Sequence, residues 1–281
     1  MQYSLPENES AMQVLFFLQN RLGLSHNEIK RLKQCGGIKV NNIPVTVRHL
    51  LVPGDTISLQ KDESRSDIEP VNIPLDIIFE DEHMLVVNKP SRMAVHPSQG
   101  NHGHTLAEAV MFYYRDLPFV FRPANRLDKY TSGLVIVAKS AAACSKLCDQ
   151  FAKKEIVKQY IGITQGIPSP PSGRIELAIS RNKDSILKRE VNPVGKPSVT
   201  EYQMLEQRNH DALVRFWPLT GRTHQIRVHM AAIGHPLKYD FLYGKEVEGK
   251  NYLLHCEKLK LSHPLTLRPL EFFCSAPFNN T

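Results

Sequence analysis

The chain has 281 residues, 42% of them hydrophobic, and 35 Lys and Arg against 28 Asp and Glu give it a net charge of +7. That length suits one large domain with a smaller companion, and the charge favours a polyanionic partner. No apolar run reaches the ~18–20 residues of a membrane helix, and the start of the chain, with Glu7 and Glu9, lacks the apolar stretch of a signal peptide. The five cysteines are an odd number with no C-x-x-C pair, which fits reduced thiols in a cytoplasm.

Residues 11–60 read as a small unit. Met12 to Leu18 is apolar at helical spacing, and Ser25 with Glu28 forms a capping box that opens a helix to about Gln34. That helix presents Lys30, Arg31 and Lys33. Gly36-Gly37 stops it, Ile38 and Val40 alternate as a strand, Asn41-Asn42 suits a tight hairpin turn, and Pro53-Gly54-Asp55 turns into a strand over Thr56 to Leu59. Residues 61–74, charged and proline-bearing, read as a linker.

The large domain, 75–281, opens with strands over Ile77 to Glu80 and Met84 to Asn88. Thr105 with Glu108 caps a helix to about Arg115, and Ser140 caps another to about Lys154, with Ala143, Leu147 and Phe151 on its inner face. Between the helices, Leu134 to Ala138 is a Val- and Ile-rich run that reads as a buried strand. Further strands are expected over Tyr160 to Thr164, Ser198 to Leu205, Ala212 to Leu219 and Leu253 to Leu261, with a helix opened by Thr220 or Gly221 and closed by Gly234. Strands outnumber helices without regular alternation, so the fold class is α+β with a mixed, largely antiparallel sheet.

The stretch Arg126-Leu127-Asp128-Lys129-Tyr130-Thr131-Ser132-Gly133-Leu134 joins a charged loop to that buried strand. Taken alone, Asp128 reads as a turn aspartate. The order R-L-D-x-x-T-S-G-L, however, resembles the catalytic motif of the RluA-type pseudouridine synthases, whose Asp is the essential residue. Asn125 stands where that family usually has His. Further along, Lys158-Gln159-Tyr160 resembles the family's K-x-Y, and Gly221-Arg222-Thr223-His224-Gln225-Ile226-Arg227-Val228-His229 resembles its G-R-T-H-Q-I-R-V-H. Asp240-Phe241-Leu242-Tyr243-Gly244 is similar to the family's G-D-x-x-Y-G, with Tyr239 in place of the first Gly, and Leu24 to Ile57 resembles an S4-like RNA-binding domain.

The resemblance implies an isomerase that turns uridine into pseudouridine in structured RNA. The C1′–N1 bond must break, the uracil must turn and bond through C5, and the C5 proton must leave; no cofactor and no metal are required. Asp128 would supply the carboxylate, Arg227 its paired cation and Tyr160 a flat face for the base. The first step is open: attack at C1′, addition to C6, or removal of the C2′ proton. Arg126, Arg222, His224, Gln225, Lys188 and Arg189 are expected to meet RNA, as are Lys30, Arg31 and Lys33 in the small unit. His224 and His229, five apart, lie off one helical face and do not read as metal ligands. Family members with an S4-like domain act mostly on large-subunit ribosomal RNA, which makes that RNA the expected substrate and transfer RNA the alternative. A monomer is expected. An inactive RNA-binding relative is the rival reading, against which the presence of Asp128, Tyr160 and Arg227 counts.

Overall fold

The computed structural model of the protein describes residues 2–24, 26, 29, 32–33, 36–59, 68–98 and 100–278. The chain divides into two compact units, Met1–Ser66 and Asp67–Thr281.

In the first unit, strands Gln2–Ser4, Thr56–Leu59, Ile38–Val40 and Ile43–Pro44 lie side by side in that order, all antiparallel. Asn41 and Asn42 both take positive φ, 49° and 67°, the conformation that a two-residue hairpin needs. The Asn41 carboxamide binds the Asp55 carboxylate (2.7 Å) and the Thr56 N–H (2.9 Å), fixing the hairpin to the Pro53-Gly54-Asp55 turn. Met12 and Gln13 are not helical as their spacing suggests: they pair with Leu50 and Leu51, and the helix covers only Val14–Phe16 before widening over Phe17–Arg21. Val14, Leu18, Ile29, Leu32, Ile38 and Ile57 form the core. Lys33 is exposed, whereas the Ser25–Glu28 capping box, Lys30 and Arg31 lie outside the described residues.

The second unit is built on a ten-stranded sheet, with helices Leu106–Tyr113, Ala141–Ala152 and Gln225–Ala232. Along its main path the order is Ser172–Glu176, Val199–Arg208, Asp211–Pro218, Val157–Gln165, Leu254–Ser262, Ser132–Ala138, Met84–Lys89, Ile77–Glu80. Every pairing is antiparallel except that of Ser132 and Gly133 with His255 and Cys256. The fold is thus α+β with a mixed, largely antiparallel sheet. Leu134–Ala138 is wholly buried, which explains its unbroken apolar run. One core cluster joins that strand to Met84–Val87, Leu106, Val110, Ala143 and Leu147; another gathers Val214, Phe216, Ile226, Met230 and Leu254 on the other half of the sheet. Tyr160 packs against both.

Both helix caps form in this unit. Thr105 and Glu108 make a full capping box, and the Ser140 hydroxyl accepts from Ala143 N–H. The first of these helices ends at Tyr113, two residues short of the expected Arg115. The third begins at Gln225 instead of Thr220, because residues 220–224 form a turn that ends on His224 in the left-handed region (φ 58°). Strands Ser172–Glu176, Ile179–Arg181, Arg189–Val191 and Pro269–Phe273 carry too few alternating apolar residues to stand out in sequence. Residues 61–67 lie outside the described residues; beyond them Ile68, Ile73 and Leu75 pack against the core of the second unit.

Candidate active site

Asp128 sits on a loop that is fastened almost residue by residue. At its start, the Asn125 carboxamide donates to Leu134 O (3.1 Å) and accepts from Ile136 N–H (2.8 Å), extending the pairing that Arg122–Pro123 makes with Ser132–Ala138. At its end Thr131 is hydrogen-bonded to the Tyr252 hydroxyl (3.1 Å) and Ser132 to His255 Nδ1 (2.9 Å). Gly133 has φ +111°, and a side chain there would collide with the backbone of Cys256, so the parallel pairing at the centre of the sheet requires glycine.

Beneath the loop, the buried ammonium of Lys89 donates to the carbonyls of Met93 (2.8 Å), Pro90 (2.9 Å) and Lys129 (3.3 Å). Burial pushes the Lys89 pKa down to about 7, against the opposing pull of the Asp128 charge. Ser91 donates to Tyr130 O (2.8 Å). The T-S-G and K-P segments therefore hold one backbone shape.

The Asp128 side chain is 29% exposed and faces two groups from the turn and helix that follow Pro218: Arg227 Nη1 at 3.7 Å and His224 Nε2 at 3.8 Å. Arg227 is itself anchored. Its Nε and Nη2 donate to the two oxygens of Asp240 (2.7 and 2.8 Å), and its guanidinium lies 4.1 Å from the centre of the Tyr252 ring. Burial alone would lower the Arg227 pKa, but the Asp240 bonds outweigh it and raise the value above the usual one. His224 is hydrogen-bonded through Nδ1 to the Tyr243 hydroxyl (2.8 Å), and burial lowers its pKa.

Asp128, Tyr160, Arg227, Arg126, Arg222 and His224 all line one cleft of about 650 Å³, within the size range of sites that enclose a small ligand. Tyr160 stands on the strand next to Leu254–Ser262, and burial pushes its hydroxyl well above the usual range, with the Cys256 thiol and the Asp128 charge adding to the shift. Lys158, also in the wall, donates to Thr220 O (3.2 Å).

Not every expected contact residue faces the cleft with a free polar group. Gln225 is buried and spends its carboxamide inside the protein. Its nitrogen donates to Val199 O and Thr200 Oγ1, and its oxygen accepts from Thr220 Oγ1 and Arg222 N–H. Its carboxamide thereby locks the turn. Lys188 and Arg189 lie outside the cleft wall, on a hairpin whose Arg189 N–H donates to the Tyr243 hydroxyl (2.8 Å). His229 is buried against Thr200 and Leu177 O, away from His224. Among the described residues, no group of three or more His, Cys, Asp and Glu is placed to hold a metal ion.

Four residues of the site carry no assigned role in the sequence reading. Asp240 and Tyr243 lie in a recognised motif, as does Lys89, whose Lys89-Pro90 pair closes a run similar to the family's D-x-x-L-x-V-x-K-P. Tyr252 has none; only the sheet brings it to Thr131 and Arg227.

Residues 83–232 match the family model described as RNA pseudouridylate synthase. The chain belongs to that family. The enzyme is 36% identical over 259 residues to the ribosomal large subunit pseudouridine synthase D of Haemophilus ducreyi, covering 85% of this chain and 79% of that one. It is also 36% identical over 261 residues to an uncharacterized RNA pseudouridine synthase of Bacillus subtilis, covering 90% and 86%. Among solved structures, human RNA pseudouridylate synthase domain containing 1 superposes with a TM-score of 0.63 at 28% identity, over 73% of this chain and 84% of that chain. The protein is an RNA pseudouridine synthase, an isomerase that converts uridine to pseudouridine. The substrate base in a folded RNA is stacked, so the target nucleotide must be turned out to enter such a cleft.

Proposed function

We propose that Asp128 is the reacting carboxylate, acting on a uridine of large-subunit ribosomal RNA. The observation that carries this reading is the alignment of Arg227 and Asp128 across the cleft, with Arg227 fixed by Asp240 and the Asp128 loop fixed by Asn125, Lys89 and Thr131. A carboxylate held in place beside a cation needs little reorganisation when it meets the ribose or the base. Tyr160, its hydroxyl kept neutral by burial, serves as a flat wall for the uracil and not as a base. Arg126 and Arg222, exposed at the rim, meet phosphate. The ribosomal target is supported by the names of the relatives at about this degree of identity.

The small unit, on this proposal, is an S4-like module whose Lys30, Arg31 and Lys33 add affinity for the RNA backbone. Its support is the L-S-H-N to P-G-D pattern of the sequence and the exposed position of Lys33. The proposal places the protein in the cytoplasm as a monomer.

Pseudouridine is mapped across cellular RNA with the protein present, absent, and replaced by Asp128→Asn. The expected outcome is loss of pseudouridine at one or a few positions of large-subunit ribosomal RNA, not restored by the variant. An acid–base role alone contributes ~10²–10⁴-fold, and a covalent role exceeds it. Restoration by the variant removes Asp128 from the chemistry, and a loss confined to transfer RNA removes the ribosomal target.

A further inference from the structure

The Asp128 loop has two faces. Asp128 and Thr131 line the cleft described above, whereas Lys129 and Tyr130, between them in sequence, line a separate cavity of about 560 Å³ that shares no wall residue with it. One thickness of backbone separates the two. The second cavity has the volume of a ligand site, and its walls are tied together. Lys129 Nζ donates to Asn101 Oδ1 (2.7 Å), Arg92 Nη2 donates to Gly249 O (2.9 Å), and the Asn251 amide oxygen accepts from Arg92 Nε (2.9 Å).

Its chemistry is one-sided. The lining carries Arg92, Lys129 and Lys250, with His102 and His104, against the single carboxylate of Glu246. Two aromatic rings, Tyr130 and Phe241, meet edge to face in its wall with centroids 5.5 Å apart. Cations beside planar rings suit a group that is both anionic and flat, which is the description of a nucleotide. Lys129 and Tyr130 directly follow Asp128 in the chain, so the nucleotides next to a uridine in the Asp128 cleft are the occupants nearest at hand.

We infer that this cavity holds a nucleotide flanking the target uridine, with its base against Tyr130 and Phe241 and its phosphate between Lys129 and Lys250. The occupant would bear on Lys129 and Tyr130, whose carbonyls are held by Lys89 and Ser91, so the loop that carries Asp128 would also read what lies next to the uridine. The inference rests on the synthase reading of the Asp128 cleft.

The test uses the full-length protein and a short RNA centred on the mapped target, carrying 5-tritiated uridine. Tritium release by the wild type on this RNA is the control: its absence overturns the synthase reading itself. Given release, Lys250→Glu and Lys129→Gln are each expected to weaken RNA binding several-fold and to lower the salt slope of binding by about one unit. Both side chains are exposed, and thermal melting checks that the variants fold. An abasic nucleotide placed beside the target is expected to cost the wild type ~10-fold or more in kcat/KM on one side and little on the other. Wild-type affinity and salt slope in both variants, or an abasic nucleotide tolerated on both sides, would overturn the inference while leaving the synthase reading in place.

Discussion

Arg227 grips Asp240 through two parallel hydrogen bonds, 2.7 and 2.8 Å long, and both side chains are almost wholly buried. Such a fork fixes the plane of the guanidinium, so Nη1 is held toward Asp128 without a direct bond to it (3.7 Å). Asp240 is fixed in turn by the backbone N–H groups of Leu242 and Tyr243. Asp240→Asn replaces one acceptor oxygen with a donor that faces Arg227. Removing one partner of a buried pair costs about 3–5 kcal/mol. The variant should melt earlier and lose kcat while RNA affinity changes little. Melting curves, tritium release and RNA titration measure the three quantities; an unchanged kcat would show that the aim of Arg227 is immaterial.

The two arginines of the G-R-T-H-Q-I-R segment should separate cleanly. Arg222 is exposed at the rim and its side chain donates to Pro197 O (3.3 Å), whereas Arg227 is buried. Arg222→Ala should weaken RNA binding and lower its salt slope by about one unit, with little effect at saturating RNA. Arg227→Ala should do the opposite. If both variants change only the salt slope, Arg227 contacts phosphate and has no part in the chemistry.

His224 gives the enzyme an acid limit. Burial lowers its pKa below 6.5, and the Arg227 charge acts the same way against the opposing Asp128 charge, so the imidazole is neutral at neutral pH. As pH falls through the lowered value, the ring gains a proton, and Nε2, at 3.8 Å, becomes an ion-pair partner that competes for Asp128. The kcat should fall on the acid side of neutrality as His224 gains its proton. Because the unfolded chain takes up this proton first, stability is also lost as pH drops below about 6.5. His224→Asn, a residue that tolerates the left-handed backbone there, should remove the part of the acid limb that His224 causes. A pH–rate profile with the same acid limb in both proteins would assign that limb elsewhere.

Asn125 fills the place of the family's usual His with a donor and an acceptor that both meet backbone. Asn125→Asp keeps the acceptor for Ile136 N–H but turns a carboxylate oxygen toward Leu134 O. Loss of the donor leaves that carbonyl unpaired at a cost of about 1–3 kcal/mol, plus repulsion. Thermal unfolding should show the loss, and kcat should fall with it because the Asp128 loop starts at this residue. A variant as stable as the wild type would mean that solvent replaces the bond.

Features set by a few neighbouring residues were legible in the sequence. The Asn41-Asn42 hairpin, the Thr105–Glu108 box, the Ser140 cap and the buried Leu134–Ala138 run all follow from local backbone chemistry or an unbroken apolar pattern. What was hidden depends on partners far along the chain. Nothing near Tyr252 announces that it meets Thr131, and nothing near Lys89 announces the carbonyl of Lys129. Gln225 shows the same limit: it looks like a free polar motif residue, but Val199 and Thr200, some 25 residues earlier, take up its amide nitrogen.

The Leu254–Ser262 strand lies at the middle of the sheet, between Val157–Gln165 and Ser132–Ala138, although it leaves the ribosome after every other strand of the main path. His255 in this strand, and Tyr252 just before it, are more than a hundred positions from Ser132 and Thr131, to which they bond. Contacts of such separation form slowly, after shorter loops have closed. A nascent chain that already displays Asp128, Tyr160 and Arg227 would therefore have two half-sheets and no cleft. Synthesis of this strand then acts as the clasp that brings the halves together, and a pulse-labelled ribosome-bound chain truncated before Leu254 should be protease-sensitive and inert toward RNA uridine.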